Sequence, residues 1–229
     1  MKTLFFILIF GIAFLLSACT GANYYLKKGH YDASINYSVQ KLRKNPKKAD
    51  KHILALESAW NIERSLLLDR IEFLKLDGSP DSWVEIHALY EEMDVHQRLI
   101  KPILPLFIKK EFRNADIELI NVNEALVDAK QKAAAFMYAK GEELLGKNTK
   151  LSARDAYSHF QKVKNYYGSY KDLDTRIDEA YAQGQNHILL RHSNSSQLII
   201  PQQFMDNLAQ FDEQALDAIW TKYHLDHQA

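Results

Sequence analysis

Disulfide chemistry is closed to this chain: its 229 residues hold one cysteine, Cys19, so no intramolecular bridge can form and stability must come from packing. Proline and glycine are scarce, at 5 and 8 residues, a composition that suits long helices and not a turn-rich β-sandwich. Charge of one sign is missing too. Lys plus Arg total 29 against 29 Asp plus Glu, and nothing in that balance argues for a nucleic-acid partner. The short signatures of common chemistry are absent: no Gly-rich phosphate loop, no His-Glu-x-x-His and no Gly-x-Ser-x-Gly. No catalytic residue, metal site or cofactor is therefore expected, and the chain reads as a non-enzyme.

One long apolar run is present. Lys2 precedes residues 4–16, apolar throughout except for Gly11, and the small residues Ser17 and Ala18 follow. That is the layout of a secretory signal. At about 1.5 Å per residue the run spans roughly 20 Å, short of the roughly 30 Å hydrocarbon core a permanent span must cross, so cleavage is expected rather than retention.

The cleavage region, Leu16-Ser17-Ala18-Cys19, resembles the lipobox of bacterial lipoproteins, in which small residues precede a cysteine that becomes the new first residue. The resemblance implies a diacylglyceryl group on the Cys19 sulfur, cleavage before it, and a further acyl chain on the freed amine. Two or three chains anchor stably where one holds only marginally, because each buried methylene contributes about 0.8 kcal/mol. In the sorting rule that accompanies this resemblance, an aspartate after the lipidated cysteine retains the protein at the inner membrane. Thr20 stands there instead, which implies the outer membrane, with the protein facing the periplasm.

The remaining residues read as helices. Tyr25, Gly29, Tyr31, Ser34, Ile35, Leu42 and Pro46 fall at the spacing of the tetratricopeptide repeat, which the segment 24–46 resembles. Gly29 lets the chain reverse, Ser34 is small enough for two helices to cross closely, and Pro46 ends the second helix. Between 49 and 76 there is neither glycine nor proline, and Ile53, Leu56, Trp60, Leu67, Ile71 and Leu74 recur at helical steps. Ser79 and Pro80 are expected to cap the next helix, with Trp83, Ile86, Tyr90, Met93 and Gln97 on its inner face. Residues 101–107 carry two prolines and predict a packed connection. Residues 107–120 are ambiguous, and 117–120 fit either strand or helix.

Asn121 with Glu124 predicts a capping box for a helix running to about Leu145. Residues 133–184 resemble a second repeat region: Ala156, Phe160, Val163 and Gly168 match one helix of a hairpin, and Leu173, Ile177, Ala180 and Tyr181 the first helix of the next. Ser152 with Asp155 is read as the cap of the helix entering Ala156. Beyond Gln185 two short strands or extended arms are expected, at 187–192 and 198–200, followed by helices near 202–209 and 213–223. The lipobox, the segment 90–106 with its Pro102-Ile103-Leu104-Pro105-Leu106 run, and the hairpins of 133–184 together resemble envelope lipoproteins of the Bacteroidota type, which often continue into β-containing sequence.

The chain is thus expected to be mainly all-α. Its expected form is a tetratricopeptide-like α-hairpin solenoid with a small C-terminal segment of one or two short strands and two helices. Its parts are a lipoprotein signal peptide at 1–18, a helical-repeat domain at 19–185 and the C-terminal α/β segment at 186–229. His224 and His227 are spaced to share a helical face but lack further ligands, so no metal is assigned. His87 with Glu91, or with Glu85, reads as solvated charge rather than an acid and base. Among the tyrosines, Tyr25 and Tyr31 are expected in the hairpin core, while Tyr37 and Tyr166 are candidate partner contacts. The leading expectation is a lipid-anchored scaffold or assembly factor that binds an unidentified protein partner. An envelope enzyme acting on glycan, or a spacer carrying residues 186–229, are the alternatives.

Overall fold

The computed structural model describes residues 21–44, 50–191, 198–201, 203–204, 207 and 213–225. Cys19 and the apolar run before it, Pro46 and His227 lie outside them. The chain is mainly helical and resolves into two compact units, residues 1–133 and 134–229. No described helix is long and apolar enough to cross a membrane.

In the first unit, α1 (Ala22–Lys27) turns through Gly29, at φ +75°, into α2 (Tyr31–Lys44). A side chain at Gly29 would strain that left-handed turn. Ser34 is fully buried and its hydroxyl donates to the Ala22 carbonyl at 2.9 Å, so the helices cross where the small residue stands. Ile35, Ser38, Val39 and Leu42 continue the buried line. Tyr25 and Tyr31, expected in the core, are only half-buried. Tyr31 packs against the edge of the core cluster, and Tyr25 lies 5.8 Å from Tyr24 and 6.3 Å from Tyr37.

The long α3 (Asp50–Asp77) buries all six residues of its periodic stripe, from Ile53 to Leu74. The following α4 (Ser82–Ile100) starts later than the Ser79-Pro80 reading places it. Asp81 holds the capping position, and Ser79 spends its hydroxyl on the Asp81 carboxylate and its carbonyl on the Ser82 N–H. Ile86, Tyr90, Met93 and Gln97 are buried as expected, together with His87, His96 and Ile100, while Trp83 is half-buried.

The proline-bearing connection contains one short 3-10 turn, Lys101–Ile103. Residues 107–120 are neither one helix nor one strand. Phe107–Ile108 (β1) pairs antiparallel with Arg113–Asn114 (β2), and an irregular stretch follows. Its backbone is tied down by side chains from two helices: Trp60 Nε1 donates to the Glu118 carbonyl at 2.8 Å, Asn61 to that of Asp116 at 2.9 Å, Glu57 accepts from the Asp116 N–H, and Gln97 from that of Ile120. A non-helical segment packed against a core must place its N–H and C=O groups somewhere, and here they go to side chains.

The helix α5 (Asn123–Leu145) ends where expected, and the division between the units falls within it. At its start Asn121 accepts the Asn123 N–H at 3.2 Å, just ahead of the first turn, in place of a box with Glu124. In the second unit α6 (Lys150–Tyr166) is capped by Thr149, whose hydroxyl accepts the Ser152 N–H while Ser152 reaches back. Ser152 is thus the third helical residue and not the cap, because the helix begins well before Ala156. Ala153, Ala156, Phe160 and Val163 of α6 and Leu173, Ile177 and Ala180 of α7 (Leu173–Gly184) are buried. Gly141 is the point of closest approach: a Cβ there would stand 2.4 Å from the Phe160 ring.

The C-terminal segment departs from expectation. Asn186–Leu190 (β3) is a strand, but its parallel partner is Thr221–Leu225 (β4), within the region read as a helix. Of the expected helix at 213–223 only a 3-10 turn at Glu213–Leu216 forms. Leu198 and Ile199 lie exposed outside any strand. The β-branched Ile199 and Ile200 have a local preference for strand that goes unfulfilled here. Trp220 stands 5.2 Å edge-on to Tyr157 and 5.7 Å from Tyr181, under Gly184, and its carbonyl accepts the Asn186 N–H. That anchor sets which strand β3 meets.

Candidate functional site

Helix α3 carries two apolar faces. One is the core stripe. The other consists of Ile62, Leu66, Phe73 and Leu76, which are 40%, 53%, 59% and 80% exposed. At about 100° per residue these four project from the side opposite Trp60, Leu67 and Ile71. Exposed apolar residues scattered singly need no explanation, whereas a line of four along one helix forms a surface. The exposed Asp69, three residues after Leu66 and four before Phe73, interrupts the line with a charge, and Arg70 flanks it, 5.4 Å from the Phe73 ring centre and gripping Glu85 with two bonds of 2.7 and 3.0 Å.

The candidate contact residues sit differently. Tyr37 is half-buried, 6.3 Å from Tyr25 and 6.0 Å from His52, with the Lys41 ammonium 5.0 Å over its ring. It lines a cleft of about 100 Å³ with Asn23, Lys51 and His52, so it presents an edge to solvent and not a free face. Tyr166 is half-buried at the last position of α6. The neighbouring tyrosines belong to packing: Tyr138 lies 5.7 Å from Phe160 and 5.5 Å from Tyr170, and its hydroxyl donates to Asp172. Burial, with Asp172 beside it, pushes the Tyr138 phenol up to about 12. Cys19 lies outside the described residues.

The histidine pairs considered in the sequence also separate. Glu85 is taken by Arg70, and His87 is buried with its Nδ1 3.9 Å from the exposed Glu91 carboxylate. Burial first, then Lys130, hold His87 below its ordinary value despite Glu91. His224 stands on β4, with its Nε2 2.9 Å from His187 Nδ1 and the rings stacked. The helical face it was to share with His227 is therefore replaced by a strand, because β3 pairs with it there.

A second grouping escaped the sequence reading. Asp32 in the first turn of α2, Glu63 midway along α3, and Glu92 and His96 one turn apart on α4 converge within the first unit. His96 and Glu63 are buried, at 3% and 6% exposure. His96 Nε2 lies 2.8 Å from Asp32 Oδ1, and its Nδ1 2.9 Å from Glu63 Oε2. Burial opposes charge on the imidazole, but Glu63 and then Asp32 outweigh it and hold His96 above its usual value. Burial and the nearby Glu63 raise the Glu92 carboxyl. One local signal existed: Gln97 on the inner face of α4 implied a polar interior, and His96 stands next to it. The partners Asp32 and Glu63 come from other helices and leave no spacing to read.

No protein-family model, curated protein or solved structure matches this chain at significant similarity.

Proposed function

We propose that this protein is a lipid-anchored scaffold of the cell envelope, held through Cys19 at the outer membrane facing the periplasm, whose tetratricopeptide-like hairpins hold a partner protein. The observation that carries the binding reading is the outer apolar line of α3, Ile62, Leu66, Phe73 and Leu76. Residues four, seven and three apart make a ridge of the kind a second helix accepts in its grooves. The occupant is therefore an amphipathic helix of another protein. The close α1–α2 crossing at Ser34 and the glycine turn at Gly29 support the repeat reading. The attachment reading rests on Leu16-Ser17-Ala18-Cys19, with α1 beginning soon after it at Ala22.

Crosslinking in native membranes tests the binding reading. The expected result is one reproducible partner band that disappears in the double variant Leu66→Glu, Phe73→Glu while helix content and melting are unchanged. A band unaffected by that variant overturns it, as does a product of twice the chain's own mass, which would make the occupant a second copy. For the anchor, Cys19→Ser is expected to abolish palmitate labelling and release the chain from the membrane fraction. Unchanged labelling refutes the lipid.

A further inference from the structure

The polar cluster in the first unit is incomplete as it stands. Asp32 Oδ1 accepts from the Asn36 amide at 2.6 Å and faces His96 Nε2 at 2.8 Å. An ionised carboxylate only accepts, so Nε2 is the nitrogen that carries hydrogen. His96 Nδ1 faces Glu63 Oε2 at 2.9 Å, and both atoms are buried without a hydrogen bond. Either a hydrogen on Nδ1 or a cation that touches both atoms satisfies them.

The ligating atoms of Glu63, Glu92 and His96 all lie within 4.8 Å of one another. Donors held tetrahedrally at about 2.0–2.2 Å from one ion stand about 3.4 Å apart, so Nδ1 and Oε2, at 2.9 Å, need to part by about half an ångström to admit it. We propose that Glu63, Glu92 and His96 bind a divalent first-row transition ion of the zinc class, with Asp32 as the carboxylate that orients the imidazole. One imidazole nitrogen with two carboxylate oxygens is a borderline donor set that favours such an ion over Mg²⁺ or Ca²⁺, which prefer oxygen alone. The Asp32–His96 contact fixes the tautomer so that Nδ1 presents its lone pair, as the outer carboxylate does beside metal-bound histidines. Glu63 and His96 form the buried floor, and Glu92, on the exposed side, closes the site toward solvent and leaves a coordination position for water. The proposal is independent of the binding face on α3.

The test is titration of Zn²⁺ into the full chain in detergent after chelator treatment, with Co²⁺ absorption as a second readout. One Zn²⁺ per chain is expected, with visible Co²⁺ bands of mixed nitrogen and oxygen ligation and no competition from excess Mg²⁺. Glu92→Gln, at an exposed position that leaves packing intact, and His96→Gln should each weaken binding more than Asp32→Asn, which should lower affinity about tenfold or more. Binding that survives both Glu92→Gln and His96→Gln overturns the proposal, and so does its loss in His224→Gln alone, which would place the ion on the β3–β4 pair. Absence of Zn²⁺ binding by the unsubstituted chain overturns it as well, and leaves His96 as a protonated bridge between Glu63 and Asp32.

Discussion

The interiors of the two units are built from different materials. Among the described residues, the 1–133 unit buries Glu57, Glu63, His87, His96 and Gln97, whereas 134–229 buries no acidic or imidazole side chain, its buried polar residues being Ser152 and Gln185 beside the fully buried Ala134, Ala153, Ala156, Ala180 and Phe160. The first unit takes a non-helical stretch against its core, and that stretch brings backbone groups that Glu57, Trp60, Asn61 and Gln97 satisfy. The second packs helix on helix, and alanine and glycine set how closely the helices approach. The units should therefore fail by different routes, one by losing polar partners and the other by losing volume complementarity.

The largest effect is expected in the second unit. Phe160 is fully buried against Tyr138 and the bare backbone of Gly141, and Phe160→Ala should cost about 3–5 kcal/mol by urea unfolding. A loss under about 1 kcal/mol would mean that α5 and α6 close over the cavity and that the contrast with the first unit is overstated.

Next comes Glu57, whose carboxylate takes Arg113 at 2.6 and 2.9 Å and the Asp116 N–H. Glu57→Gln leaves the guanidinium with Glu111, 2.6 Å away, as its remaining charge partner and should cost about 1.5–2 kcal/mol. Bonds from Arg113 hold the Glu57 carboxyl below its ordinary 4.5, against the opposing effect of burial. A depressed folded value stabilises above the unfolded value and is lost as pH falls through the folded one. Stability should thus decline on acidification below about 4.5, and Glu57→Gln should flatten that decline; parallel acid profiles for the two proteins would remove Glu57 from the account.

A smaller loss separates packing from propensity. Alanine is preferred over glycine inside a helix by about 1 kcal/mol, yet a Cβ at position 141 stands 2.4 Å from the Phe160 ring, and overpacking costs about 1–3 kcal/mol. Gly141→Ala should therefore destabilise by about 1–2 kcal/mol in thermal melts. A gain would show that the ring moves aside freely and that small residues do not set the helix approach.

These contrasts also show which features were legible in the sequence. The α3 stripe was readable because six apolar residues recur at the helical period within one uninterrupted segment, and all six are buried. Ser34 and Gly29 were readable because their roles are fulfilled within a dozen residues. The stretch 107–120 was not, since its shape is decided by Glu57, Trp60, Asn61 and Gln97, distant in the chain and chosen for the backbone groups they meet. The same holds for β4: Thr221–Leu225 has no stronger strand pattern than Leu198 to Ile200, and Trp220 packing on Tyr157 and Tyr181 selects it. The Asp32, Glu63, Glu92 and His96 grouping depends on three helices meeting, so only the Glu92–His96 interval was local.

The smallest stability effect carries the most about function, and it sits on adjacent residues of α3. Leu67 is 7% exposed within the core and Leu66 is 53% exposed on the opposite side. Both are leucines in the same helix, so helix propensity is held constant and only the face differs. Leu67→Ala should cost about 2–5 kcal/mol through the lost burial and the cavity left behind. Leu66→Ala should change stability by no more than about 0.5 kcal/mol, as surface positions do. If the outer line is a docking ridge, the order reverses in crosslinking: Leu66→Ala weakens partner capture while the chain remains as stable as before. A Leu66→Ala protein that melts several degrees lower would instead make Leu66 part of the fold, and the four exposed residues would then lose their standing as a surface kept for another helix.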